Sequence, residues 1–249
     1  MSRRDLLQTV LLGLLAVASL GCRAPGHPRP GPEIVRPDQV LDFPTLYKQN
    51  CSACHGANGK NGAAISLANP VYLVVAGAPT LTAVTANGVK GTLMPPFAKS
   101  AGGMLTDQQI GVLVQGMLQQ WGHPDQLSGL TPPAYASSAS GDPARGQIAF
   151  ATFCAQCHGA DGTGATSTIA HRQVKIGSIV DPSYLALVSD QDLRSTIIAG
   201  RPDEGMPDWR SDVTGTALHT MADQEITDTV AWLAAHRVKT AGQPYPEHP

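Results

Sequence analysis

The chain has 249 residues, a formal net charge of −2, 14% charged residues and 5% aromatic residues. No basic run suits nucleic acid, and the 26 glycines and 20 prolines favour short helices joined by many loops, a build that calls for something besides side chains to fill its core.

The N-terminus reads as an export segment. Arg3 and Arg4 precede an almost wholly apolar run from Val10 to Leu20, which ends in Gly21 before Cys22. That run is too short for an ordinary membrane span and predicts a signal peptide over residues 1–21. "SLGC" (Ser19 to Cys22) resembles the bacterial lipoprotein processing box, with Ser19 where leucine is usual, and "SRRDLL" resembles a twin-arginine export signal. The lipoprotein resemblance implies a diacylglyceryl group on Cys22. It would place the protein in the bacterial periplasm or on the outer face of the cytoplasmic membrane, held by a lipid anchor. Residues 22–41 open with "RAPGHPRPGP" after the cysteine and read as a Pro/Gly-rich tether.

Beyond the tether the chain repeats itself. "CSACHG" at Cys51–Gly56 has a twin, "CAQCHG", at Cys154–Gly159. Pro70, Tyr72, Leu73, Leu81, Gly88, Met94 and Pro95 match Pro182, Tyr184, Leu185, Leu193, Gly200, Met206 and Pro207, all at a shift of 112. Phe97 falls on Trp209 in the same register. The CxxCH motifs are offset by only 103, so the second copy carries nine extra residues between motif and matching block, within a stretch that contains "HRQVKIGSI". Each copy opens with a predicted helix, with Tyr47 and Phe150 each four residues before the first cysteine. Each closes with an amphipathic one, through Ile110, Leu113, Val114, Met117 and Trp121 or through Ile226, Val230 and Leu233. Thr106 and Gln109 predict a capping box at the start of the first of these helices, and Ala222 predicts a weaker start for the second. The expected plan is a first unit over 42–121, a linker over 122–141, a second unit over 142–239 and a tail over 240–249.

Three chemistries use a CxxC motif. Dithiol exchange is set in a βαβ context and asks for no following histidine. A Cys₄ zinc site takes cysteine pairs much closer together than these. Covalent haem fits best: two thiols add to two vinyl groups, and the next imidazole reaches the iron from the same side. Gly56 and Gly159 allow close packing beside that imidazole. Of five cysteines, Cys51, Cys54, Cys154 and Cys157 are used in this way and Cys22 alone is left over. Two haem c groups are the cofactors expected.

The order helix, CxxCHG, loop, "GTLMPPF" or "EGMPDW", amphipathic helix resembles class I cytochrome c twice over, as in the dihaem cytochrome c4-like group. The resemblance covers about Asp42 to Lys239. It implies an all-α fold of two tandem domains. It also implies histidine–methionine ligation of each iron, by His55 with Met94 and by His158 with Met206, and no catalytic residue. Met104, Met117 and Met221 lack the following proline. His27, His123, His219, His236 and His248 read as surface or segment-end residues, and His171 as part of a surface insertion.

Such ligation predicts electron transfer between redox proteins, as a carrier or as a bound subunit of a respiratory or photosynthetic complex. A quinol-oxidising complex is the expected donor, and a terminal oxidase, reaction centre or soluble cytochrome the expected acceptor. The alternative is a dihaem enzyme such as a peroxidase, which needs an open or switchable iron. Lys48, Lys60, Lys90 and Lys99 face only Asp42 and Asp107 in the first unit, whereas the second unit is net acidic, so the two may dock different partners.

Overall fold

The computed structural model describes residues 31, 34–169, 171–210 and 219–238. The expected signal peptide, Cys22, most of the tether, His27, the tail and His248 lie outside the described residues. Two compact units divide the chain, Met1–Gln39 and Val40–Pro249. A short 3₁₀ turn at Pro37–Gln39 belongs to the first. Both CxxCH repeats lie in the second.

Each repeat starts from the same local chemistry. Asp42 caps α1 (Phe43–Asn50) by accepting from Thr45 N at 2.9 Å, and Pro44 sits in the first turn. Asp142 caps α5 (Pro143–Phe153) in the same way, accepting from Arg145 N at 2.9 Å. The helices bury Tyr47 and Phe150 and run directly into single-turn helices that carry the motifs, α2 (Ser52–His55) and α6 (Ala155–His158).

The long middle helix of the first repeat, α3 (Pro70–Asn87), is broken at Gly77, whose φ of 65° and ψ of 166° are not helical. The second repeat breaks at the corresponding place. There α7 (Pro182–Leu187) ends and Ser189 caps α8 (Asp190–Ala199) through Asp192 N at 3.1 Å. Asn69 and Asp181, in register, cap α3 and α7.

The last helices are α4 (Asp107–Trp121) and α9 (Asp223–Ala234). Thr106 and Gln109 form the expected capping box on α4. Ala222 has no side chain for that purpose, and only half the box survives, with Ala222 N donating to Glu225 Oε2 at 2.7 Å. Each last helix packs on its first: Trp121 meets Phe43 and Tyr47 edge-on, and Trp232 lies 4.3 Å from Phe150, centroid to centroid.

The fold is helical with one exception that the helical resemblance did not anticipate. The extra residues of the second repeat lie within an antiparallel hairpin, β1 (Ala165–Ile169) paired with β2 (Arg172–Ile176) in the register Ala165↔Ile176 to Ile169↔Arg172. Linker composition was also an incomplete guide. Leu127 is buried, and the Ala134 and Tyr135 carbonyls accept from the buried Arg194, whose guanidinium also meets Asp223 and Thr227. No helix among the described residues is long and apolar enough to cross a membrane.

Candidate functional site

The two motifs share one backbone geometry. Gly56 and Gly159 end their turns at φ 81° and 80°, ψ 155° and 156°. In both, a Cβ would collide with a carbonyl, that of Lys60 at 1.9 Å or of Gly164 at 2.7 Å. The four motif cysteines form no disulfide. Burial pushes the Cys51 thiol up to about 11 and the Cys154 thiol up to about 12, opposite to the depressed thiol that a redox pair needs. Among the described residues no three His, Cys, Asp or Glu side chains are grouped as metal ligands would be.

The histidines differ. His55 is buried, and its Nδ1 donates to the Ile65 carbonyl at 2.8 Å, which puts the ring's lone pair on Nε2. His158 Nδ1 is buried with no partner at all. Burial lowers the pKa of both imidazoles and favours the neutral form that can ligate iron.

The methionine loops match as well. Val89 N donates to the Met94 carbonyl at 3.1 Å, and Arg201 N donates to the Met206 carbonyl at 2.9 Å. Gly88 and Gly200, at φ 68° and 66°, close the preceding helices against these loops. A Cβ there would lie 2.7 Å from the Met94 or Met206 carbonyl oxygen, so only glycine lets the loop return so tightly.

In the second repeat these parts surround a cavity of about 690 Å³ lined by Cys154, Cys157, His158 and Met206. The apolar lining, the paired thiols, the imidazole and the thioether all fit a covalently attached haem, and so do buried polar atoms that lack partners inside the protein. The hairpin supplies Ile169, Val174 and Ile176 to the wall. Its residue His171, at φ 64°, is exposed and absent from that wall. The insertion therefore builds the cavity, although His171 does not reach it.

Among the competing methionines, Met104 is 82% exposed and Met117 is buried in the core. Met221 does line the cavity. Its backbone N–H donates to the Trp209 carbonyl, as that of Leu105 does to Phe97, which marks it as the counterpart of a core leucine. His219 pairs with Glu225 at 3.0 Å and is half exposed, His236 Nδ1 donates to the Trp232 carbonyl at 2.9 Å, and His123 is exposed.

Two cavity residues went unnoticed in the sequence, Asp192 and Arg201, and Tyr184 and Trp209, marked there only as repeat matches, also stand in the wall. Burial pushes the Asp192 carboxyl up, while the His55 imidazole and the Arg201 guanidinium pull it down, so a wall residue of the second cavity is felt at the histidine of the first repeat. Ala63, Ala64 and Ile65 of the first repeat also stand in this wall. The peptide that orients His55 is thus a wall of the other site. Arg201 would have been visible in the gapless register, where the first repeat has Val89.

Asn69 stitches the repeats together. Its Oδ1 accepts from Val71 N and Tyr72 N, and its Nδ2 donates to the Ala199 carbonyl at 2.8 Å and the Gly200 carbonyl at 3.2 Å. Asn69→Asp keeps the cap and sets a buried carboxylate against two carbonyls. We expect a loss of about 2–4 kcal/mol in denaturant unfolding. A change below about 0.5 kcal/mol would show that the contact contributes no more than an ordinary surface site.

Comparisons with known proteins follow the same division. Residues 39–115 match the family described as "Cytochrome C oxidase, cbb3-type, subunit III", and residues 143–237 match "Cytochrome c". The chain is 26% identical over 186 residues to the "Cbb3-type cytochrome c oxidase subunit CcoP" of Cereibacter sphaeroides, covering 71% of this chain and 57% of that relative's length. The chain thus spans little more than half of that relative. A solved structure, the "Kuenenia stuttgartiensis reducing HAO-like protein complex Kustc0457/Kustc0458", aligns with 82% of this chain and all of its own at 16% identity and a TM-score of 0.45. Two cytochrome c domains in tandem, each with its CxxCH motif for one covalent haem c, make this chain a member of the dihaem class I c-type cytochromes.

Proposed function

We propose that the chain relays single electrons between two membrane-associated redox partners, with no substrate turnover of its own. The observation that carries this reading is the shared wall: Ile65 accepts from His55 and also lines the second cavity. An electron held at one site has a packed and partly hydrogen-bonded route to the other through that residue. When bound, a covalent haem supplies the one-electron chemistry through its ferrous and ferric states.

The chain's residues hold and orient it. Cys51, Cys54, Cys154 and Cys157 would be the attachment points, and His55 with Met94 and His158 with Met206 would ligate the irons. Such a pair would favour the ferrous state over bis-histidine ligation. The two cytochrome units span 42–121 and 142–239, joined through 122–141. A lipid on Cys22 and the tether after it would keep them at the periplasmic face of the membrane.

The oxidase-subunit relative supports a respiratory setting, with a quinol-oxidising complex as donor and a terminal oxidase as acceptor. Lys48, Lys60, Lys90 and Lys99 are exposed on the first repeat and suit an acidic partner. In membranes bearing the full chain, quinol should reduce both haems and oxygen should reoxidise them through the oxidase. Neutralising the four lysines should slow exchange with one partner only, and Cys22→Ser should release the protein to the soluble fraction. A high-spin haem at rest, together with rapid peroxide turnover, would replace this relay with a dihaem peroxidase.

A further inference from the structure

The loop that carries Met206 is gripped by the first repeat. Asn69 is 3% exposed, and its Nδ2 donates to the Ala199 carbonyl at 2.8 Å and the Gly200 carbonyl at 3.2 Å. Carbonyls at the C-terminal end of a helix have no partner within it, and α8 ends at Ala199. Both residues are buried, where an unpaired acceptor is costly. The next residue closes the loop: Arg201 N donates to the Met206 carbonyl at 2.9 Å, and Met206 N donates to the Arg201 carbonyl at 3.0 Å. Gly200 leaves no slack, since a Cβ there would lie 2.5 Å from the Pro207 carbonyl oxygen. Two further contacts from the first repeat reach the same loop. The Gly62 carbonyl accepts from Arg201 Nη2 at 3.4 Å, and Asn61 N donates to Asp203 Oδ2 at 3.3 Å.

The Met94 loop is braced differently. Thr92 Oγ1 donates to the Val89 carbonyl at 2.9 Å and accepts from Met94 N at 3.2 Å. Glu204 stands in register with Thr92, and its carboxylate pairs with Arg201 at 2.7 Å. Asp181 stands in register with Asn69, and its carboxylate accepts from Ser183 N and Tyr184 N. An ionised carboxylate has no proton to donate, so neither residue can do what its counterpart does. The first loop carries its own brace, whereas the second borrows one from the other repeat.

We infer that Asn69 is a positioning residue for the second site: its carboxamide reaches across from the first repeat and fixes the start of the loop that presents Met206. One segment then serves both sites, since the Ile65 carbonyl orients His55 and the Asn69 amide holds the Met206 loop. Without that amide, the two buried carbonyls regain partners only by moving toward water, and the loop moves with them. The second site holds its thioether tightly because the repeats are docked.

This inference rests on Met206 ligating the second iron, and the experiment separates the two. Asn69→Ser and Asn69→Asp each keep an acceptor to cap α3 and lose the amide. Both are made in the full holoprotein, and covalent haem is counted first. Imidazole is added to the ferric protein, and loss of the near-infrared sulfur-to-iron band is followed. The half of the band that Met206→Ala removes should bleach about tenfold faster than in the native protein, the scale of one unsatisfied buried acceptor. The other half should keep its native rate, and only one midpoint potential should fall. Thr92→Val should quicken the other half instead. Hydrogen exchange gives an independent readout: the Arg201 and Met206 amides should lose protection in the Asn69 variants, while the Val89 amide keeps it. Asp142→Ala, which uncaps α5 of the second repeat away from the loop, is the control for general loosening and should leave both rates native. Native bleaching and exchange in both Asn69 variants, equal quickening of both halves, or the same quickening in Asp142→Ala would overturn the assignment. A band left whole by Met206→Ala would instead overturn the ligand reading, and the inference with it.

Discussion

Replacing Cys154 and Cys157 together with serine is expected to lower covalent haem from two per chain to one, and to leave the second repeat without a folded core. The reason is volumetric. Phe150, Leu185, Leu193, Val230, Trp232 and Leu233 form the small buried cluster peculiar to that repeat. Beside it lies a space of about 690 Å³, several times the ~150 Å³ void that an engineered core keeps dry. A repeat so poor in its own apolar filling depends on the guest for its interior, as a metal domain depends on its metal. A haemochrome assay with intact mass reads the first effect, and near-ultraviolet circular dichroism of Trp209 and Trp232 reads the second. The first repeat supplies most of the larger buried cluster, including Leu46, Leu73, Ile110 and Leu113, to which Ile198, Trp209 and Ile226 of the second repeat add, and it should keep its haem. A double variant that folds with native tertiary signals and one haem would show the second repeat to be self-sufficient.

Met206→Ala should remove about half of the near-infrared sulfur-to-iron absorption, and Met94→Ala the other half, while Met221→Ala removes none. The two loops are built alike, each closed on its helix by a glycine with no room for a Cβ and by a backbone hydrogen bond at the methionine carbonyl. Equal construction predicts equal spectroscopic consequence. Each alanine variant should also lower the potential of its own haem, since the thioether is the ligand that favours the ferrous state. If Met206→Ala leaves the band intact and Met221→Ala halves it, the sixth ligand of the second iron is Met221, the other methionine of that cavity wall.

Much of this protein was legible before any fold was known, because its chemistry is written in contiguous stretches. CxxCH is a local unit: two thiols and an imidazole within one turn need no distant residue to bring them together. The shift of 112 between Gly88–Pro95 and Gly200–Pro207 exposed the methionine loops for the same reason. The Thr106–Gln109 capping box was readable because its partners are three residues apart.

Less was legible where function depends on residues far apart in the chain. The hairpin of residues 165–176 carries no glycine at its turn and alternates weakly, so an insertion was evident but not its strands or its place in the cavity wall. Asn69 and Asp181 look alike as helix caps. Only the fold shows that the amide of Asn69 has a second use, against Ala199 and Gly200.

By itself, then, the sequence determined the cofactor, its number and the residues expected to hold it, because covalent attachment is a short-range property of the chain. The tertiary structure decided how the two sites are joined and how they differ. Ile65 can serve His55 and wall the second cavity only if the repeats pack at that face. Arg201 and Trp209 become orphaned donors only once burial has removed the water that would have satisfied them. Burial is a sum over neighbours brought together from the whole chain, and no single stretch of sequence contains it.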